Sequence, residues 1–230
     1  MQPKPKAILP AVMTGLAFLA FLVVYWLLTA RSVVPCWGAG LLFLFPAAVL
    51  RLVTVLTRRG QLSELAGNTF AVLLSVLFLL TSFVLLVVLA FRGATHPVTD
   101  PALYGRVLRL TEHKHLLTAF PTEIPPEAEN VEFFYAPQLM QGAGEWELSY
   151  DAPEAEARQT LAEWEAAAIA AIPGADWDAG ALLPESLRGQ AGCTVYVFEA
   201  EPYHPDSWNH GKVRLAAEAG GRLTWYASVW

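Results

Sequence analysis

Long apolar runs fill the first ninety residues, and short or alternating apolar segments between turn residues fill the rest. Residues 7–29 carry no charge, residues 33–57 are interrupted only by Arg51, and residues 69–91 again carry none. A helix needs about 20 apolar residues to cross a bilayer core of about 30 Å. A core helix of a soluble protein seldom runs that far without a polar face. The pattern therefore predicts three transmembrane helices within residues 1–92. The first run is longer than the roughly 7–15 apolar residues of a signal peptide. Leu28, two residues before Ala30, is also too large for a small-x-small cleavage site, so this span is read as retained. Cys36 follows Ser32-Val33-Val34-Pro35, which lacks the small residues expected before a lipidated cysteine.

Beyond residue 92 the period changes. Gly93, Pro97 and Pro101 mark a linker over residues 93–103, and residues 104–120 read as one helix with Leu108, Leu116 and Leu117 facing inward. Residues 131–135 are β-branched and aromatic, as strands are. Residues 145–150 alternate, with Trp146, Leu148 and Tyr150 on one face and Glu145, Glu147 and Ser149 on the other. Asp151, Pro153 and Glu154 open a helix that is expected to run to Ile172, where Pro173 and Gly174 stop it. Its inward stripe is Leu161, Trp164, Ala168 and Ile172. Residues 194–200 read as a buried strand, and Gly220-Gly221 joins two more, 212–219 and 222–230, as a hairpin. The expected fold is thus three transmembrane α-helices followed by one extracytoplasmic α+β domain, residues 104–230, with a mostly antiparallel sheet.

Charge sharpens the division. Residues 1–92 hold seven bases and one acid, Glu64, for a net +6; the remaining residues hold eight bases and twenty acids, for −12. This asymmetry excludes a single soluble globule and a basic nucleic-acid binder, because the acidic half repels phosphate. Lys4, Lys6, Arg58 and Arg59 outweigh Arg31 and Arg92 in the loops, which predicts a cytoplasmic N-terminus and an external C-terminal domain. Tyr25, Trp26 and Trp37 fall at the same outer boundary, where aromatic rings prefer the interface. Arg51 lies close enough to its helix end to snorkel to water. Pro35, Gly38, Gly40 and Pro46 suit a packing seam. Nothing in the spans reads as an inverted repeat or a row of carboxylates, as a transporter would need.

Candidate chemistry is confined to two loops. Residues 136–144 contain Pro137, Gln138, Met140, Gln141 and Gly142, and residues 201–211 contain Tyr203, His204, Asp206, Trp208, Asn209 and His210. Loops on a rigid sheet concentrate binding residues. Gln141, Gly142, Trp208, Asn209 and His210 are therefore the candidate ligand-binding set, set against a plainer reading in which they cap turns and plug the sheet edge. His113 and His115 stand two apart in a segment read as helix, which separates them. His204, Asp206 and His210 fall short of a recognisable zinc pattern, so no metal or other cofactor is expected. No catalytic motif of a serine, cysteine or metallo-hydrolase is present. Cys193 has no cationic neighbour in sequence and reads as a buried, inert thiol. Glu145 and Glu147, like Glu154, Glu156, Glu163 and Glu165, read as solvated surface charge.

Residues 120–150 (FPTEIPPEAENVEFFYAPQLMQGAGEWELSY) and the closing WNHGKVRLAAEAGGRLTWYASVW are similar to a family of membrane-anchored proteins from Firmicutes-type bacteria. Phe120-Pro121, Ile124-Pro125, Asn130, Tyr135, Pro137, Gln141-Gly142 and Asn209-His210-Gly211 carry the likeness. The resemblance covers residues 116–230 and implies a bacterial cell-surface domain, with no particular reaction. The expectation is an integral membrane protein whose partners are the bilayer and, where it assembles, another membrane protein, with no nucleic acid. Its acidic domain would serve binding or envelope assembly. Two alternatives stand beside this: a membrane-anchored enzyme with a site between the two loops, and a small subunit of a membrane complex.

Overall fold

Without water to compete for backbone bonds, an apolar run satisfies its amides most completely as a helix. In the computed structural model, which describes residues 8–33, 44–138, 144–174, 192–201 and 211–229, helices fall on all three runs. They are α1 (Ile8–Arg31), α2 (Leu44–Arg58) and α3 (Glu64–Thr95). Glu64–Arg92 is long and apolar enough to cross a membrane. The 15 residues of α2 rise about 22 Å at 1.5 Å per residue, short of a full crossing, and residues 34–43 before it lie outside the described residues. Hydroxyls within the helices bond back one turn: Thr54 to the Leu50 carbonyl at 2.8 Å, Ser75 to Ala71 at 2.7 Å and Thr81 to Leu77 at 2.8 Å. Such bonds satisfy polar groups within the helix itself. Gly67 lets α3 approach α2, since a Cβ there would collide with the Thr57 side chain. Phe21 and Tyr25 of α1 bury against Phe78 of α3. Most of the remaining Leu, Val and Phe side chains of α3 stay exposed, Phe83 at 66%.

These helices form one compact unit, Met1–Gly93, and Ala94–Trp230 forms a second. The second unit is an α+β domain on a six-stranded sheet. Its strands are β1 (Glu129–Ala136), β2 (Gly144–Asp151), β3 (Ala170–Pro173), β4 (Thr194–Glu201), β5 (Lys212–Ala219) and β6 (Arg222–Val229), in the spatial order β1-β2-β6-β5-β4-β3. Every neighbouring pair is antiparallel. Gly220 and Gly221 turn the β5–β6 hairpin at φ of 62° and 94°, a conformation that costs a side chain about 1–2 kcal/mol per residue. Val98 extends β1 by a two-bond bridge to Tyr135, at 2.8 Å in each direction.

The alternation in β2 sorts the sheet into two faces. Trp146, Leu148 and Tyr150 pair with Ala227, Trp225 and Leu223 of β6, and this face receives the helices. Tyr104 of α4 (Tyr104–Leu110) meets Phe133 edge-on at 5.4 Å. Trp164 of α5 (Glu154–Ala167) packs on Tyr196 and Trp225. The opposite face is also buried, with Val195, Val197, Val213, Leu215 and Tyr226 forming one apolar cluster. Ser149 and Thr224 satisfy each other there at 3.0 Å.

Two helices are shorter than their periodicity suggests. Residues 104–120 are not one helix: α4 ends at Leu110, Thr111 is extended (ψ 142°), and a 3-10 turn follows at Lys114–Leu117. In one continuous helix Val107 and Leu116 would lie half a turn apart, nine residues at 100° each. The break lets both bury completely, whereas Leu108, expected inside, is half-exposed. Likewise α5 ends at Ala167 and does not reach Ile172. Ala168 turns extended, and residues 170–173 become the edge strand β3, with the Ile169 N–H donating to Val197 O at 2.8 Å and that of Gly174 to Cys193 O at 2.7 Å. Pro173 is compatible because an edge strand leaves one row of donors unused. Leu161 and Trp164 still face inward from α5, joined by Ala157, while Ile172 packs on the opposite face of the sheet.

At the outer corner of the sheet a bulge between Glu129 and Glu132 puts Asn130 at φ 49°. Its side-chain amide donates to Asp151 Oδ2 at 2.6 Å. Arg222 then donates to Asn130 O at 3.0 Å and to Asp151 Oδ1 at 3.2 Å, and pairs with Glu132 at 2.9 Å. The Asn130 bond, followed by Arg222, holds the Asp151 carboxyl below its ordinary pKa. A depressed carboxyl contributes stability above its unfolded value, about 3.9, and loses it as pH falls through the folded value. Asp151→Asn should therefore lower the melting temperature of the detergent-solubilised chain at pH 7 but not near pH 2, read by near-UV circular dichroism. Asn130→Gly keeps the positive φ but removes the amide bonded to Asp151, so it should lose part of the same pH-dependent stability. Asn130→Val, which adds backbone strain, should cost about 1 kcal/mol or more beyond that.

Candidate functional site

The five residues singled out in the sequence, Gln141, Gly142, Trp208, Asn209 and His210, lie outside the described residues, as do His204 and Asp206. The near flank of the first loop is described. Gln138 Oε1 stands 3.0 Å from His113 Nε2, and the His113 ring lies edge-on to Trp146 at 5.8 Å. Among the described residues no three His, Cys, Asp or Glu side chains gather as a metal site. Cys193 is buried, and burial followed by the Glu218 charge pushes its thiol pKa up. Both effects keep it protonated and poorly nucleophilic.

A different place in the domain has the form of a site. On the helix-covered face, a cleft of about 390 Å³ opens between α5, the 118–121 segment and strands β4–β6. That is within the roughly 300–1,000 Å³ of small-molecule pockets. Its apolar lining is Phe120, Trp164, Phe198 and Trp225. Trp225, 2% exposed, stacks on Tyr150 with ring centres 5.0 Å apart and meets Trp164 edge-on at 5.2 Å. Interlocked rings of this kind hold their positions, since each can move only by displacing its neighbours.

Two signs of charge face this aromatic lining. From β5 comes Arg214, between the inward Val213 and Leu215 of the opposite face. A register irregularity between Val197 and Glu199 leaves Phe198 beside Arg214, with the guanidinium carbon 5.7 Å from the ring centre. Bulges commonly re-aim side chains in this way. Arg214 Nη1 donates to Thr118 Oγ1 and, at 3.4 Å, to His115 O, while its Nε is buried with no hydrogen-bond partner. Among the described residues no carboxylate lies within ion-pair distance of it. An unpaired buried N–H of a charged group costs about 1–3 kcal/mol or more.

The other sign comes from α5. Glu156, Thr160 and Glu163 line the cleft, and their i, i+4, i+7 spacing places them on one helix face. Tyr150 Oη donates to Glu156 Oε1 at 3.1 Å. Burial, then the Glu156 charge, raises the Tyr150 pKa, so the phenol remains a donor. Gln159 donates to Glu163 at 3.0 Å, and the described ion pair on this helix is the exposed Arg158–Glu154.

The cleft was missed in the sequence because its parts come from six separate segments. One signal was present: Arg214 is a base inside an apolar strand of a strongly acidic domain. Glu156 and Glu163 read as solvated surface, and Glu163 is indeed exposed. What periodicity does not show is that the 118–121 segment stands across from them.

No family model, no curated protein and no solved structure matches the chain. The resemblance noted over residues 116–230 therefore rests on the quoted residues alone.

Trp164 couples α5 to the sheet and lines the cleft at once. Trp164→Ala should cost about 3–5 kcal/mol, as large-to-small aromatic substitutions in cores do, measured as a drop in the chain's melting temperature. Glu163→Gln, at an exposed position, should leave it nearly unchanged.

Proposed function

We propose that the chain is a bacterial integral membrane protein that presents an external, acidic α+β domain for binding a small ligand. The aromatic cleft around Arg214 carries this reading. Arg214 sets its charge beside aromatic rings with no carboxylate in ion-pair distance among the described residues, and a few placed polar groups in an apolar lining are what orient a ligand in a small-molecule site. Binding is favoured over catalysis because the described lining holds no histidine or cysteine, and its two carboxylates already accept from neutral donors, Glu156 from Tyr150 and Glu163 from Gln159, whereas nucleophilic catalysis requires a base bonded to the nucleophile.

Residues 1–92 act as the anchor, with three spans and a cytoplasmic N-terminus. The +6 charge of that region, its basic loops and the wide exposure of apolar side chains on α3 support this. An external position also suits the domain's −12, since repulsion from anionic headgroups discourages it from lying on the lipid surface.

Two measurements test the reading. A reporter active only outside the membrane, fused after Trp230, should be active; activity of a cytoplasmic reporter alone would reverse the orientation. A photo-crosslinking residue at Thr160, irradiated in intact membranes, should yield an adduct of small-molecule mass. Adducts only of protein or lipid would sink the ligand-binding role.

A further inference from the structure

The cleft's charges constrain what can bind there, provided that it is a ligand site as proposed above. Arg214 is held on one edge: Thr118 and His115 O occupy Nη1 and set the guanidinium plane. Among the described residues nothing accepts from Nη2, and Nε is unpartnered. In this state Nη2 is left to pair with an oxygen of an arriving carboxylate, while the buried Nε stays out of a ligand's reach. The opposite wall has the reverse sign. Glu156 and Glu163 stand seven residues apart on α5, about 10 Å along the axis, with no Lys or Arg paired to either among the described residues. Phe120, Trp164 and Trp225 lie within the same lining.

A simple anion would gain from Arg214 but meet two carboxylates across the cleft. A simple cation would gain from those carboxylates and the ring faces but meet Arg214. A ligand carrying both charges around an apolar body satisfies every wall. We propose that the cleft binds a zwitterion of the α-amino-acid type, a free amino acid or very short peptide with an apolar side chain. Its carboxylate pairs with Arg214, its ammonium turns to the Glu156–Glu163 face of α5, and its side chain lies on the aromatic lining. The volume of about 390 Å³ suits such a small ligand.

The test is calorimetric titration of the full chain in detergent with three probes: L-phenylalanine, 3-phenylpropionate (no ammonium) and 2-phenylethylamine (no carboxylate). L-phenylalanine should bind, and each truncated probe should bind at least about tenfold more weakly. Arg214→Gln should weaken L-phenylalanine by about tenfold or more. Arg214→Lys keeps the charge without the planar fork and should recover part of the loss, which guards against a simple folding defect. Glu163→Gln should weaken L-phenylalanine while leaving 3-phenylpropionate unchanged or slightly tighter. If 3-phenylpropionate binds as tightly as L-phenylalanine, the cleft is an anion site and the zwitterion is wrong, though a ligand site stands. If none of the three binds, the ligand class is overturned, and the adduct at Thr160 separately decides whether the cleft binds anything.

Discussion

Trp225 is the side chain on which the architecture of the α+β domain turns. It projects from β6, near the middle of the sheet, and is gripped by Tyr150 from β2 and Trp164 from α5. Those contacts fasten the helix to the sheet. They also leave an aromatic wall where helix and sheet diverge. Trp164 and Trp225 line the cleft with Phe120, Phe198 and Arg214, so the junction that fastens helix to sheet also forms part of its wall.

Charge is placed against that framework unevenly. Most of the acidic side chains have water beside them, and ion pairs at such positions contribute little. Arg222 is the counterexample, holding a bulge, a strand end and two carboxylates together at the sheet corner. Arg214 belongs to neither group. It is anchored by neutral acceptors, and although Glu199 stands opposite it in the β4–β5 register, no described carboxylate comes within ion-pair distance. The distinction between the two arginines follows from their surroundings: one is ringed by carboxylates, the other by aromatic carbon and a hydroxyl.

Much of the fold was legible along the chain. Apolar runs became helices, the alternation at residues 145–150 became β2, and the paired glycines became the β5–β6 turn at both positive angles. The misreadings share one cause. Residues 168–173 and 111–117 carry a helical apolar period but were drawn into other conformations by partners far away in sequence. Val195 and Val197 offered an unpaired sheet edge to residues 170–173. The sheet face asked Val107 and Leu116 to point the same way, which a single helix forbids. The candidate site was less legible. Loops were the natural place to look, but the described cleft is built from side chains in regular elements and one short connecting segment.

Composition and local periodicity already divide the chain into a basic, apolar region and an acidic α+β domain and mark most strand positions. Those properties depend on composition and on periods of two or 3.6 residues, which are local. Where two helices end and which residues share a cleft depend instead on long-range packing. Arg214, Glu156, Thr118 and Trp225 are brought together by strand order and helix placement. Nothing in their spacing along the chain encodes that meeting, because it is set by the competition among distant surfaces for burial.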